Sequence, residues 1–457
     1  MAETPDDDRP LDFDDLVAWF ARGGKPAADF RVGAEHEKFV FRLADHAPVP
    51  YDGEAGINAL MRGMMRFGWE GTFEAAPDGG ETLIGLSRGA ANISLEPGGQ
   101  FELSGAPLPT MHDICEETGR HLEEAKTVAG ELGLGFLGLG FTPTWRRDQI
   151  PAMPKSRYKI MRQYMPKVGD LGLDMMFRTC TVQANLDFAD EADMVAKFRV
   201  SLALQPIVTA LFANSPFIEG RPTGLLSSRA HVWTDTDADR TGMLDFVFQD
   251  DFGFDAYARY ALAVPMYFAK RDGRYIDLAG RSFAAFMRGE LAELPGQRPT
   301  IKDWIDHTST IFPEVRLKQY LEMRGADAGP WSRLCALPAL WAGILYDPAT
   351  QAAAWDLCKG WTREDRAGLR DDSARLGLKA EVAGRSARDV ARDMLALARQ
   401  GLKRRDRLSA GMVDETGYLA EIEEIAETGV TAAERLLDLY NGPWQGDAGR
   451  AFEACAY

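Results

Sequence analysis

Residues 314–324 read EVRLKQYLEMR, and their alternation decides the fold class. Glu314, Arg316, Lys318, Tyr320, Glu322 and Arg324 fall on one face, and Val315, Leu317, Gln319, Leu321 and Met323 on the other. A period of two predicts one strand with its second face in a core. The polar face mixes acids with guanidinium groups, and Glu322 and Arg324 are same-face neighbours. Such a face can hold cations through carboxylates and phosphate oxygens through Arg. Read alone, the plainer account is a surface strand with cross-strand ion pairs.

Three further strands change that balance. RVGAEHEKFVFRL, 31–43, puts Glu35, Glu37, Phe39 and Phe41 on one face. Acids two apart on a strand point the same way, with Cα atoms about 7 Å apart. From 69 to 104 the pattern is β, cut by PDGG at 77–80 and by Pro97-Gly98-Gly99, a hairpin turn flanked by Glu96 and Glu102. FRTCTVQANLDF, 177–188, alternates Thr179, Thr181, Gln183, Asn185 and Asp187 with an apolar face. If the four strands share one sheet, its polar face is a wall carrying five carboxylates. Such a wall cannot stay ionised without cations, and Mg²⁺ prefers carboxylates plus substrate phosphates. The chain has six His and no His/Cys cluster, which argues against zinc or copper. No GK[ST] follows the Gly pair, so this is not a P-loop. The residues alone predict Mg²⁺-dependent phosphoryl transfer.

The rest of the chain sets the frame. At 457 residues with 46% hydrophobic content, it can bury a large core. A net charge of -17 disfavours nucleic acid and anionic membranes as partners. No apolar run approaches the ~20 residues of a membrane span. Residues 1–9 read as a frayed acidic tail without a targeting pattern. Five dispersed cysteines fit reduced thiols and a cytoplasmic setting. Helical spacing covers 11–22, 54–67, 110–132, 155–165, 190–213 and most of 330–457. The 155–165 helix, begun by Lys155, is either a solvated face or a basic rim for a nucleotide. Residues 227–240 read as a loop whose Asp235, Asp237 and Asp239 fail the EF-hand pattern; Arg229 could face the site. No linker is visible, so 1–457 reads as one α+β domain: an antiparallel sheet with a helical flank at 330–457.

GAEHEKF, SLEPGGQFELSGAPL, PKSRYKIM, GLDMMFRTCTVQANLDF, LALQPIVTALFANSPF, SSRAHVWTDTDADRTGM, FPEVRLKQYLEMRGAD and GPWSRLCALPALW closely resemble glutamate–cysteine ligases of the plant and proteobacterial type. The resemblance runs from about Gly24 to Tyr457. It implies a cup-like antiparallel sheet of the glutamine synthetase catalytic type. It also implies ATP-dependent ligation of L-glutamate, through γ-glutamyl phosphate, to L-cysteine, the first step of glutathione synthesis. A relative using another amine is the alternative. By resemblance, Glu35, Glu37, Glu96, Glu102 and Glu322, with Gln183, match metal ligands. Arg324 would hold the transferring phosphoryl and Arg229 a substrate carboxylate or the acyl phosphate, with Lys155 and Arg316 on the nucleotide. Oligomeric state stays open between monomer and homodimer. Plant members carry two regulatory disulfides; of those four positions only Cys335 is matched, its partner falling at Gly24 and the other pair at Leu278 and Glu293. No disulfide switch is therefore expected.

Overall fold

The structure, a computed structural model, describes residues 11–75 and 80–457. The tail at 1–9 and residues 77–79 of the PDGG turn lie outside the described residues. The central element is β1 (Val32–Arg42). Around it lie β2 (Glu70–Ala75), β3 (Glu81–Arg88), β4 (Ala91–Leu95), β5 (Phe101–Ser104), β6 (Leu134–Leu137) and β7 (Thr181–Leu186), of which β5, β6 and β7 pair with β1 directly.

Residues 314–324 do not form one strand. They fold into a hairpin whose arms, Val315–Leu317 and Leu321–Asp327, pair with Arg316 opposite Glu322. The turn is anchored by Gln319, whose amide donates to the Trp19 carbonyl. The nine-stranded sheet runs first arm, second arm, β7, β1, β5, β4, β3, β2, with β6 also pairing β1. The pairings of β1 with β5 and β7, and of β7 with the second arm, are antiparallel.

One face of this sheet is closed by helices. Met111–Glu131, with Thr110 accepting from the Asp113 N–H as cap, packs on β6 and β1. Glu191–Phe212 packs on the second arm, and Trp331–Leu345 on β7 and β1. Ala387–Arg405 backs these two helices. The apolar alternates Val32, Ala34, Val182, Ala184, Leu186, Leu321 and Met323 enter that core. The C-terminal helices are thus packed on the sheet.

Four readings need correction. Phe177 and Arg178 end a short helix, Gly172–Arg178, where Arg178 pairs with Asp174 one turn back, and the strand begins only at Thr181. Residues 227–240 include a five-residue helix, Ser228–Val232, capped by Ser227. Glu191–Phe212 is long and apolar enough to cross a bilayer, yet it is a core helix, 83% buried over its apolar window. The expectation of unlinked thiols also fails. The helices carrying Cys115 and Cys335 pack together, with Cα atoms 5.7 Å apart, and the two sulfurs are bonded. Gly24, the expected partner position, instead sits against Ala189.

Candidate active site

Register gathers the polar residues. Glu37 lies opposite Glu102, and Glu102 opposite Ser94. Glu35 lies opposite Gln183, and Asn185 opposite Glu322. Because side chains on paired strands share a face, two polar rows cross the sheet.

The first row is short of positive charge. The Ser94 hydroxyl lies 2.9 Å from a Glu96 oxygen and 2.8 Å from a Glu102 oxygen. One hydroxyl carries one proton, so it can serve one carboxylate at a time. Tyr158 reaches Glu96 at 3.2 Å but donates better, at 2.7 Å, to the Leu95 carbonyl. Burial, then the nearby charge of Glu96, raises Glu37 to about 8. Glu102 rises well above the carboxylate range through burial and the charges of Glu96, Glu35 and Glu37. The Thr181 N–H donates to Glu37 at 2.9 Å.

The second row is rich in positive charge. Arg316 grips Glu322 with two nitrogens, at 2.9 and 2.8 Å. Lys318 lies 3.2 Å from the same carboxylate, and Arg324 bonds its other oxygen. Burial would raise Glu322, but Arg316, Lys318 and Arg324 outweigh it and hold the acid below its ordinary value. Arg324 also donates to the Gln183 amide oxygen at 2.5 Å. Asn185 donates to Glu35 at 2.7 Å, with Gln183 looser at 3.5 Å.

Between the rows lies a cleft lined by Glu37, Glu96, Arg157, Thr181, Arg229 and Arg324. Arg229 is 2% exposed and donates to the Arg324 carbonyl at 2.6 Å. Glu37, Glu96, Arg229 and Arg324 therefore line one cleft, which gathers strand residues with an arginine that the sequence reading placed only on a loop. Lys155 is half-buried at the start of Ser156–Tyr164, its ammonium over the Tyr158 ring, and burial lowers its pKa.

Arg316 does not fit its expected contact with nucleotide. It is 6% exposed, and its remaining nitrogen donates to the carbonyls of Ser309 and Ile311 at 3.0 Å each. It is a hairpin anchor. Glu322, at 0% exposure, sits in a cage of cations rather than open to an ion.

Among the described residues, no three His, Cys, Asp or Glu side chains stand close enough to chelate an ion as they are. The donor set nevertheless fits a hard divalent cation. It is all oxygen: the single Ser94 hydroxyl serves both Glu96 and Glu102, and burial with neighbouring carboxylates pushes Glu37 and Glu102 up. Sequence reasoning missed Ser94, Thr181, Tyr158 and Arg157. Ser94 shares parity with Glu96, one residue past the end of its strand, which was the available signal; Arg157 had only the basic composition of its helix.

A profile of glutamate–cysteine ligase family 2 (GCS2) matches residues 31–454. The chain is 55% identical over 449 residues to the chloroplastic glutamate–cysteine ligases of Nicotiana tabacum and Arabidopsis thaliana, covering 98% of this chain and 83% of each relative. It is 53% identical to the chloroplastic glutamate–cysteine ligase B of Oryza sativa subsp. japonica, with 98% and 88% covered. A glutamate–cysteine ligase structure from Francisella tularensis, in complex with AMP, superposes with a TM-score of 0.54 at 11% identity, covering 94% of this chain and 88% of that one. That likeness concerns the fold, and the α+β class with a cup-like antiparallel sheet of the glutamine synthetase type holds. The cytoplasmic reading is overturned: these plant relatives are chloroplastic, and a chain with bonded cysteines does not carry the reduced-thiol argument. The chain belongs to glutamate–cysteine ligase family 2.

Proposed function

We propose that this chain ligates L-glutamate to L-cysteine at the expense of ATP, giving γ-glutamylcysteine, ADP and phosphate, the first step of glutathione synthesis. Family membership supports the activity. The observation that carries the chemistry is one cleft that gathers Glu37 and Glu96 with Arg157, Arg229 and Arg324, with Glu37 and Glu102 pushed up by burial and neighbouring carboxylates.

In this reading Glu35, Glu37, Glu96 and Glu102, with the Gln183 amide, hold Mg²⁺. Bound there, Mg²⁺ supplies positive charge that neutralises triphosphate oxygens and polarises the γ-phosphoryl. Arg324 and Arg229 bind the transferring group and the acyl phosphate through fixed N–H forks. Lys155 and Arg157 border the Glu96 side, where an anionic nucleotide would lie. Glu322 joins the ligand set only if the Arg324 fork turns from it toward phosphate. Arg316 and Lys318 then keep it ionised. No side chain need act as a nucleophile. The glutamate γ-carboxylate attacks the γ-phosphorus as the bond to ADP breaks, and the neutral cysteine amine then attacks the acyl carbon, expelling phosphate and giving up one proton to it. We read the described residues as one catalytic domain, because the C-terminal helices complete the core beneath this wall.

A coupled ADP-release assay tests the reading. ADP formation should require glutamate, and its steady rate should require cysteine. Equal rates with a panel of other amines would instead identify a glutamate–amine ligase of different specificity.

A further inference from the structure

The two arginines of the cleft are not placed independently. Arg324 lies where the second hairpin arm breaks register with β7, between Met323 and Ala326. Such a bulge re-aims the side chains around it. Here each carbonyl of the bulge has a side-chain donor. Arg324 accepts from Arg229 at 2.6 Å and Thr181 at 3.3 Å, Gly325 from Thr209 at 2.8 Å, and Ala326 from Thr181 at 2.8 Å. A Cβ on Gly325 would stand 2.5 Å from the Gln205 amide nitrogen, so any side chain there must displace Gln205.

The arm ends at Asp327, which is 1% exposed. One of its oxygens accepts from the Asn214 N–H at 2.8 Å and the Ser215 hydroxyl at 2.6 Å. The other accepts from the Ser227 hydroxyl at 2.7 Å. Ser227 caps the helix that carries Arg229, taking the Ala230 N–H at 3.0 Å, and Ser215 takes the N–H of Arg229 at 3.3 Å. The circuit is closed. Asp327 fixes the helix, the helix fixes Arg229, and Arg229 fixes the Arg324 carbonyl three residues before Asp327.

We propose that Asp327, acting through Ser227 and Ser215, is the positioning residue that locks Arg229 and Arg324 into one rigid frame. This rests on the reading that both arginines face the transferring phosphoryl. The charge of Asp327 supports it: burial lowers the Arg229 pKa, and Asp327 opposes that more than Glu37 or Glu314 does. A frame of this kind matters because misplacement of a catalytic group by about 1 Å costs on the order of 10²-fold in rate.

The test uses the full chain with Asp327→Asn, Ser227→Ala, Arg229→Ala and Arg324→Ala. Steady-state kinetics are measured for all three substrates, with thermal unfolding as the check on folding. Asp327→Asn and Ser227→Ala are expected to lower kcat about 10- to 100-fold while KM for glutamate and cysteine moves less than about 3-fold. On the Arg229→Ala background each should cost less than about 2-fold more, because residues acting through one another are not additive. If Asp327→Asn fails to fold, Ser227→Ala decides alone. Wild-type kcat in the folded variants, or losses that multiply fully with Arg229→Ala, would overturn the inference. Wild-type kcat in Arg229→Ala and Arg324→Ala would overturn the site reading itself and this inference with it.

Discussion

Glu322 accepts both forks of Arg316 directly across the hairpin, at 2.9 and 2.8 Å, in a site that admits no solvent to the acid. Removing one member of a buried pair leaves the other charge uncompensated, at about 3–5 kcal/mol. Glu322→Gln is therefore expected to lower the thermal midpoint by several degrees as well as abolish glutamate-dependent ATP turnover. Calorimetry beside the ADP assay checks this. An unchanged midpoint with near-normal turnover would remove Glu322 from both roles.

The metal-free protein should lose stability as pH rises. Glu37 titrates near 8 when folded against an ordinary value of 4.5, so the folded state binds more protons than the unfolded state between those values. Its contribution is complete below about 4.5 and disappears as pH climbs through 8, with a slope of at most about 1.4 kcal/mol per pH unit. Glu102, raised in the same direction, adds to the trend. Denaturant unfolding in EDTA from pH 5 to 8.5 measures it, and saturating Mg²⁺ should flatten the slope. A slope of opposite sign without metal would contradict the picture of an acid-crowded wall.

The Cys115–Cys335 bond closes a loop across a separation of 220 residues. Peptide mapping of non-reduced protein should recover the two cysteines in one linked species, with Cys180 and Cys358 free. Cys335→Ser should lower unfolding free energy by about 2–4 kcal/mol. Separate peptides in protein never exposed to reductant would contradict the linkage.

Much of this fold can be read from parity. The strand at β1, the β4–β5 hairpin and the helix capped by Thr110 follow from period and turn chemistry. The EVRLKQYLEMR hairpin does not, and the reason is arithmetic. Val315 faces Met323, Arg316 faces Glu322 and Leu317 faces Leu321, so odd meets odd and even meets even. A single strand and this hairpin have the same alternation. The Ser228–Val232 helix escapes notice because five residues are too few to show a period. The carboxylates of β1 were legible because Phe39 and Phe41 follow Glu35 and Glu37 on the same face, which conflicts with simple solvent exposure. That Glu322 is caged while Glu37 and Glu102 are not was illegible. It depends on which strand lands beside which, a long-range outcome with no local signal. The bond between Cys115 and Cys335 is illegible for the same reason.

The central claim is that the uncaged acids bind a divalent cation. Mn²⁺, which shares the oxygen-ligand preference of Mg²⁺, reports it directly by electron paramagnetic resonance titration of the wild-type chain and of Glu37→Gln and Glu96→Gln. The account predicts saturable Mn²⁺ sites in the wild type, competed by Mg²⁺ and weakened at least about 10-fold in both variants. Identical Mn²⁺ binding in all three proteins would contradict it.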